Sequence, residues 1–198
     1  MTLSIVMITV PDREKEFEQI VDKVRGQISY CESVHPTLGG VQLVIVKTDK
    51  YNNGGPTIGA KRSVGLRKST GKYVCWLDDD DDIAPDYVET ILRLAQSDAD
   101  VLTFNNISRF DSFWCVVQMS LHIAYDDQVE PGFVWRRPYH VCAFKRELIE
   151  DLQFPDANWD EDTGFIGEAL KRCKTQARSN RILHEYKRIT KSLAEETL

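Results

Sequence analysis

Five aspartates in a row, Asp78 to Asp82, follow directly on the apolar stretch Tyr73-Val74-Cys75-Trp76-Leu77. A short continuous apolar run of this kind reads as a buried strand. Charge this dense is tolerated only where such a strand leaves the core, so the fold must open a strand end onto solvent or a ligand. Left bare, five adjacent carboxylates repel one another. Alternate side chains of an extended segment point to opposite sides, so Asp78 and Asp80, or Asp79 and Asp81, can converge on one cation. An all-oxygen ligand set favours Mg2+, Mn2+ or Ca2+ over zinc. The competing reading is a solvated acidic turn in which Asp82 caps the next helix. An EF-hand loop is excluded. Residues 78–89 place acids at loop positions 1, 3, 5, 9 and 12, but position 6 is Ile83 where the sharp turn needs glycine.

The rest of the chain supplies the frame around that strand end. Continuous apolar segments at 4–10, 41–46, 73–77 and 100–104 read as strands. Between them, 14–30, 58–69 and 85–97 read as helices, two of them with clear helical spacing. Phe17, Ile20, Val21, Val24 and Ile28 mark the first, and Tyr87, Val88, Ile91, Leu92 and Ala95 the third. Alternation of this kind predicts an α/β fold, a Rossmann-like, mainly parallel central sheet flanked by helices. Ligands of such sheets bind beyond the carboxyl ends of the strands. The second part of the chain reads differently, as strands at 113–119, 122–126 and 133–136, a short helix at 145–151, a helix at 163–173 and a last strand at 181–186. With 198 residues the chain is read as a single domain, 1–198. Its parts are a ligand-binding half, 1–105, and a smaller mixed half, 106–198, that closes over the pocket.

Composition narrows the function classes. The net charge of −6 argues against general nucleic-acid binding, which needs a basic stripe. Five cysteines, an odd number with no CxxC pair, argue against a disulfide framework or a structural zinc site. Buried reduced thiols, and with them a soluble, cytoplasmic protein, are the expectation. The apolar run 3–10 is too short to span a membrane. Asp12, Arg13 and Glu14 follow it where a signal peptide would have a small-residue cleavage site.

Two further segments carry candidate chemistry. Gly54-Gly55-Pro56-Thr57-Ile58-Gly59-Ala60-Lys61-Arg62 combines glycines that permit close backbone approach with two cations that can meet phosphate. It is neither a Walker loop nor a dinucleotide fingerprint. A flexible turn with exposed basic residues competes with that reading. Phe154-Pro155-Asp156-Ala157-Asn158-Trp159-Asp160-Glu161-Asp162 places acids beside a tryptophan just before a helix. An acidic helix start that complements the dipole competes here.

Taken together, residues 59–81, Gly-Ala-Lys-Arg-Ser-Val-Gly-Leu-Arg-Lys-Ser-Thr-Gly-Lys-Tyr-Val-Cys-Trp-Leu-Asp-Asp-Asp-Asp, resemble the GxxRNxGLxxAxGxYhxFhDxDD stretch of glycosyltransferase family 2 enzymes, with Ser63 in place of the usual Asn. Residues 83–88 resemble that family's helix entry, and 154–162 its FPxxNxGED segment, with Asp160 where glycine is usual. Residues 137–140, together with Lys145 and Arg146, resemble an acceptor-side segment of some members. The resemblance implies a GT-A fold and transfer of a sugar from a nucleotide-sugar donor to an acceptor. UDP is the implied nucleotide, glucose or a deoxyhexose such as rhamnose the sugar, and the acceptor a glycan or another hydroxyl compound. It also implies Mn2+ or Mg2+ as cofactor and inversion of the anomeric centre.

The same resemblance assigns roles. Thr9, Val10 and Pro11 end the first strand where the nucleoside sits, and Asp49 contacts base or ribose. Lys61 and Arg62 approach the diphosphate or sugar. Asp78 and Asp79 serve the donor, Asp80 and Asp81 the metal, and Asp162 is the catalytic base. A histidine near the C-terminus completes the metal site in many members. Here His184 is the candidate, and Glu185 stands where strict alignment puts that histidine. Only one of these neighbours in a strand can face the pocket. The alternatives are a GT-A-like nucleotidyltransferase, a metal-dependent phosphatase or nuclease, and a non-catalytic sugar- or metal-binding module.

Overall fold

The computed structural model describes residues 1–9, 13–47, 55–123 and 132–188. The elements run β1 (Leu3–Ile8), α1 (Glu14–Val34), β2 (Val41–Val46), α2 (Ile58–Lys68), β3 (Tyr73–Leu77), β4 (Asp82–Ile83), α3 (Tyr87–Ala95), β5 (Val101–Phe110), β6 (Trp114–Met119), β7 (Gly132–Arg136), β8 (Ala143–Lys145), α4 (Glu161–Arg172) and β9 (Gln176–Arg188). Among the described residues these nine strands form one sheet, ordered β2-β1-β3-β8-β5-β6-β7, with β9 lying along β5 and β4. The first half follows the sequence expectation. β1 pairs in parallel with both β2 and β3, every side chain of β1 and β3 is buried, and the helical stripes of α1 and α3 face the core. Burying one such Leu, Ile or Phe contributes roughly 1.5–3 kcal/mol. Helices α1 and α3 pack together on one side of the sheet, and α2 and α4 on the other.

Several expectations change. β5 has the same direction as β3 but does not pair with it, because β8 lies antiparallel between them. That strand, Ala143–Lys145, overlaps the helix read at 145–151 only at Lys145, and of the rest Arg146–Leu148 form a 3-10 turn. Ala143 and Phe144 are wholly buried, and three residues suffice to bridge two strands that are already fixed. Of the strand expected at 122–126, His122 and Ile123 lie in and just after a turn, and 124–126 fall outside the described residues. The last strand exceeds its expected bounds and runs the length of β5. β5 itself crosses the division at 105/106, so both halves of the chain share one strand. All five cysteines are free and buried.

Helix α2 approaches β1 closely because it lacks a side chain where the two meet. A Cβ on Gly65 would stand 2.2 Å from Val6 Cγ1. Gly65→Ala should therefore push α2 off the sheet and cost about 1–3 kcal/mol, the range for overpacking. Gly26 lies inside α1 with nothing within 4 Å of an added Cβ. Gly26→Ala should stabilise by about 0.5–1 kcal/mol. Urea denaturation of both variants checks the pair; equal midpoints would refute the close approach.

Candidate active site

The two-residue period of β3 sorts its side chains between the layers. Cys75 meets Tyr87 of α3, at 3.5 Å. Trp76 points the other way and donates from Nε1 to the carbonyl of Arg62 on α2, at 3.4 Å. Asp78 continues the Trp76 side and so emerges beneath α2. Phe154 and Phe165 stack on each other at 3.8 Å and both meet the Trp76 ring edge-on. This aromatic plug ties the segment before α4 to the floor of the site.

The N-terminal half of α2 then draws in the segment that carries Asp162. Gly59 is needed there, because a Cβ would stand 1.8 Å from the Pro155 carbonyl oxygen. Gly59 N–H donates to Ala157 O at 3.1 Å, and Ile58 N–H to Asn158 Oδ1 at 3.0 Å. Ser63, the departure from the family's asparagine, accepts from Phe154 N–H at 3.0 Å. α4 starts immediately afterwards, at Glu161, with Asp160 in the left-handed region at φ 58°.

Arg62 occupies the centre of the resulting cluster, with only 3% of its surface exposed. Nη2 donates to both oxygens of Asp78 at 2.9 Å. Nη1 is ion-paired with Glu161 at 3.0 Å and with Asp162 at 3.6 Å. His140 joins from beyond β7, with Nδ1 2.9 Å from Asp162 Oδ2 and Nε2 3.7 Å from Asp78 Oδ2. Burial would raise the Asp78 carboxyl, but Arg62 and His140 hold it well below the usual carboxylate range. Asp162 behaves alike: burial opposes ionisation, and His140, Arg62 and a hydrogen bond with Tyr139 overcome it. Burial and Arg62 work against the imidazolium of His140, yet Asp162 and Asp78 raise its pKa. Both carboxylates are thus ionised and tied to fixed cations.

On the β1 side, Asp79 accepts from Thr9 Oγ1 at 2.9 Å and from Arg13 at 2.8 Å. Arg13 also bonds Asp80 at 2.7 Å. Lys61 is buried and donates to the Thr9 carbonyl at 3.2 Å, and burial lowers its pKa. Partial burial pushes Asp80 up to about 6; Arg13 pulls it down, while Asp78, Asp81 and Asp79 push it up. Val10, Pro11 and Asp49 lie outside the described residues.

The strand pair β4–β9 decides between His184 and Glu185. Ile83 stands opposite His184 and Asp82 opposite Glu185. Glu185 turns away to Arg109, at 2.6 Å. His184 is buried against the acidic run, with Nε2 2.9 Å from Asp81 Oδ2. Asp81 is held in place by the Asp78 N–H, at 3.0 Å. Neither ring nitrogen of His184 has an aligned hydrogen bond. Two neighbouring ligands of one cation, with bonds of about 2.1 Å at right angles, stand about 3 Å apart. Asp81 and His184 therefore fit a divalent cation as an oxygen–nitrogen pair. No ready cluster of three ligands exists among the described residues.

Asp78, Asp81, Arg62, His140, Asp162 and His184 all line one cleft of about 430 Å3. Trp159 stands at its edge with 88% of its surface exposed, so it is not a core residue. Lys145 and Arg146 are not part of the site. Lys145 pairs with Tyr73 at the opposite end of β3, and its ammonium bonds Asp98 at 2.8 Å. Three participants are absent from the sequence-based site. Glu161 and His140 stand in the segments that resemble the family, and the roles there went to other residues. Arg13 lies just past a strand end with no spacing to mark it.

This fold and cleft have counterparts among known proteins. The model of the family described as Glycosyl transferase family 2 matches residues 30–153, more than half of the chain. The chain belongs to that family. Over 112 residues it is 29% identical to EpsH of Bacillus subtilis (strain 168), named as a glycosyltransferase; the match covers 50% of this chain and 31% of EpsH. The crystal structure of S. aureus TarS 1–349 in complex with UDP-GlcNAc matches 100% of this chain and 62% of TarS 1–349, with TM-score 0.67 at 12% identity. Its complex with UDP matches with TM-score 0.65 at 13% identity, over 95% and 61% of the two chains. The fold is thus the GT-A fold, and the chain spans less than two thirds of each of these relatives. No helix among the described residues is long and apolar enough to cross a membrane.

Replacing Arg62 by Met should leave buried carboxylates without their cation and cost about 3–5 kcal/mol at neutral pH. The pH dependence should also flatten. In the parent, Asp78 and Asp162 have lowered pKa values, so their stabilisation is present above the unfolded pKa of about 3.9 and fades as pH falls below it. In Arg62→Met the strongest attraction on Asp78 is gone while His140 still lowers both groups, so less stability should be lost on acidification. Denaturant midpoints measured from pH 7 to about pH 2 check this; parallel profiles would contradict it.

Proposed function

We propose that this protein transfers a sugar from a nucleoside diphosphate donor, a UDP-sugar, to a hydroxyl acceptor with inversion. The observation that carries the reading is the convergence on one cleft of Asp78, at a strand's carboxyl end, and Asp162, at the start of α4, beside the Asp81–His184 pair. Family membership supports glycosyl transfer, and the UDP and UDP-GlcNAc complexes of TarS support a uridine donor.

In this reading residues 1–105 bind the donor and 106–198 carry the acceptor side and the base. Thr9, Arg13, Asp79 and Lys61 form the wall nearest the nucleoside. Asp78, locked by Arg62, presents a fixed carboxylate to ribose or sugar hydroxyls. Asp81 and His184, with Asp80 beside them, hold Mn2+ or Mg2+. When bound, that cation supplies positive charge to the leaving diphosphate as a Lewis acid. Asp162 accepts the proton of the acceptor hydroxyl as its oxygen attacks the anomeric carbon and the bond to the diphosphate breaks. His140 and Tyr139 orient Asp162 and keep it ionised, so it starts as a base.

Incubation of UDP-glucose and UDP-GlcNAc with Mn2+ and candidate acceptors should release UDP and no pyrophosphate; pyrophosphate would mark a nucleotidyltransferase. Asp162→Asn should lower transfer by about 10²–10⁴-fold with UDP affinity unchanged. An unaltered rate would take the base away from Asp162. His184→Ala should remove the dependence of UDP affinity on Mn2+ in calorimetry; an undiminished dependence would place the metal elsewhere.

A further inference from the structure

The basic side chains of the cleft differ in how they are held, and Arg137 among them has a partner. Arg62 and His140 are engaged by Asp78, Glu161 and Asp162, and His184 by Asp81. Arg136, the last residue of β7, also lines the cleft, and among the described residues no carboxylate engages it. Its Nε is shielded from solvent and has no hydrogen-bond partner. The guanidinium is positioned all the same, lying 4.7 Å from the centroid of the Tyr139 ring. Stacking of this kind orders a planar fork and leaves its in-plane donors for a ligand. Tyr139 in turn hydrogen-bonds Asp162. A single aromatic ring therefore links the unengaged fork to the carboxylate read as the base. Trp159, exposed at the same cleft, offers a flat apolar face to a sugar ring.

A buried guanidinium nitrogen without a partner is costly unless a ligand completes it. Arg136 is suited to carboxylate or phosphate oxygens, which accept two parallel bonds from the fork. Its place beside Tyr139 and Asp162 puts that anion on the acceptor side. Building on the proposed function, we infer that the acceptor is an anionic hydroxyl compound, a sugar bearing a carboxylate or phosphate, and that Arg136 is its specificity residue. Arg136 acts in binding and leaves the proton to Asp162.

Calorimetry on the full chain, with and without UDP and Mn2+, tests this with glucuronate and glucose 6-phosphate as anionic probes and glucose as the neutral control. The parent should bind at least one anion about tenfold or more tighter than glucose, in line with a charged hydrogen bond. Arg136→Gln should remove that preference and leave UDP affinity and the melting temperature unchanged. Arg136→Lys should restore it only in part, because a point charge lacks the fork. Equal binding of the three probes by the parent, or an anion preference that survives Arg136→Gln, overturns the inference. Loss of UDP affinity in Arg136→Gln overturns it too, by assigning the fork to the donor diphosphate. A parent that binds no UDP refutes the proposed donor instead, and the titrations without UDP still decide the role of Arg136.

Discussion

A buried guanidinium holds this site together. Arg62 sits among Asp78, Glu161 and Asp162, which arrive on β3 and α4. Removing such a group from water is costly, and only several well-placed carboxylates offset it. The dependence is mutual: three acids crowded into one cleft would otherwise protonate or push apart. The cluster therefore acts as a folded-state lock between the sheet and the α4 segment. Nη2 serves Asp78 while Nη1 faces Glu161 and Asp162, so one planar group holds carboxylates in two directions, which a lysine at this position would not supply.

The lock works because packing has already brought its parts together. Gly65 lets α2 settle onto β1, and Gly59 lets its first turn meet Pro155. The stacked Phe154 and Phe165 rings, seated on Trp76, fix where α4 begins. Along the far wall, β9 runs the length of β5 and delivers His184 to Asp81. Two elements that are distant in sequence thus face each other across the end of β3. This is the usual position for ligands of open α/β sheets, beyond the carboxyl ends of the strands. The catalytic reading of Asp162 and the metal reading of Asp81 and His184 both depend on that one strand end.

Electrostatics within the cleft is partitioned. In its floor Arg62 and His140 offset part of the charge of the three acids around them. The wall near Thr9 joins Arg13 to Asp79 and Asp80, beside the buried Lys61. The rim carries Trp159, Asp160 and the Arg136 fork. The proposed donor, with a diphosphate at one end and a sugar at the other, would meet different chemistry along its length. Such gradation orients a ligand before any chemistry occurs.

Much of this was legible in the residues alone. Apolar runs and helical spacing marked β1, α1, β2, α2, β3 and α3, because each buries a face whose period is set locally. The aspartates located the strand end, since no other position in an α/β sheet tolerates them. Resemblance to the family singled out Arg62, Asp78, Asp81 and Asp162, but not what they touch. Tertiary structure decided that three residues at 143–145 form a strand between β3 and β5, because the slot left by their neighbours outweighs local preference. It turned His184 rather than Glu185 to the cleft, since the β4–β9 register sets which face of the strand is inward. It alone revealed His140 between Asp78 and Asp162, and the unengaged guanidinium of Arg136 on Tyr139. Periodicity is a property of neighbours along the chain. Which charge meets which across the cleft depends on packing between segments far apart in sequence, and no local pattern encodes it.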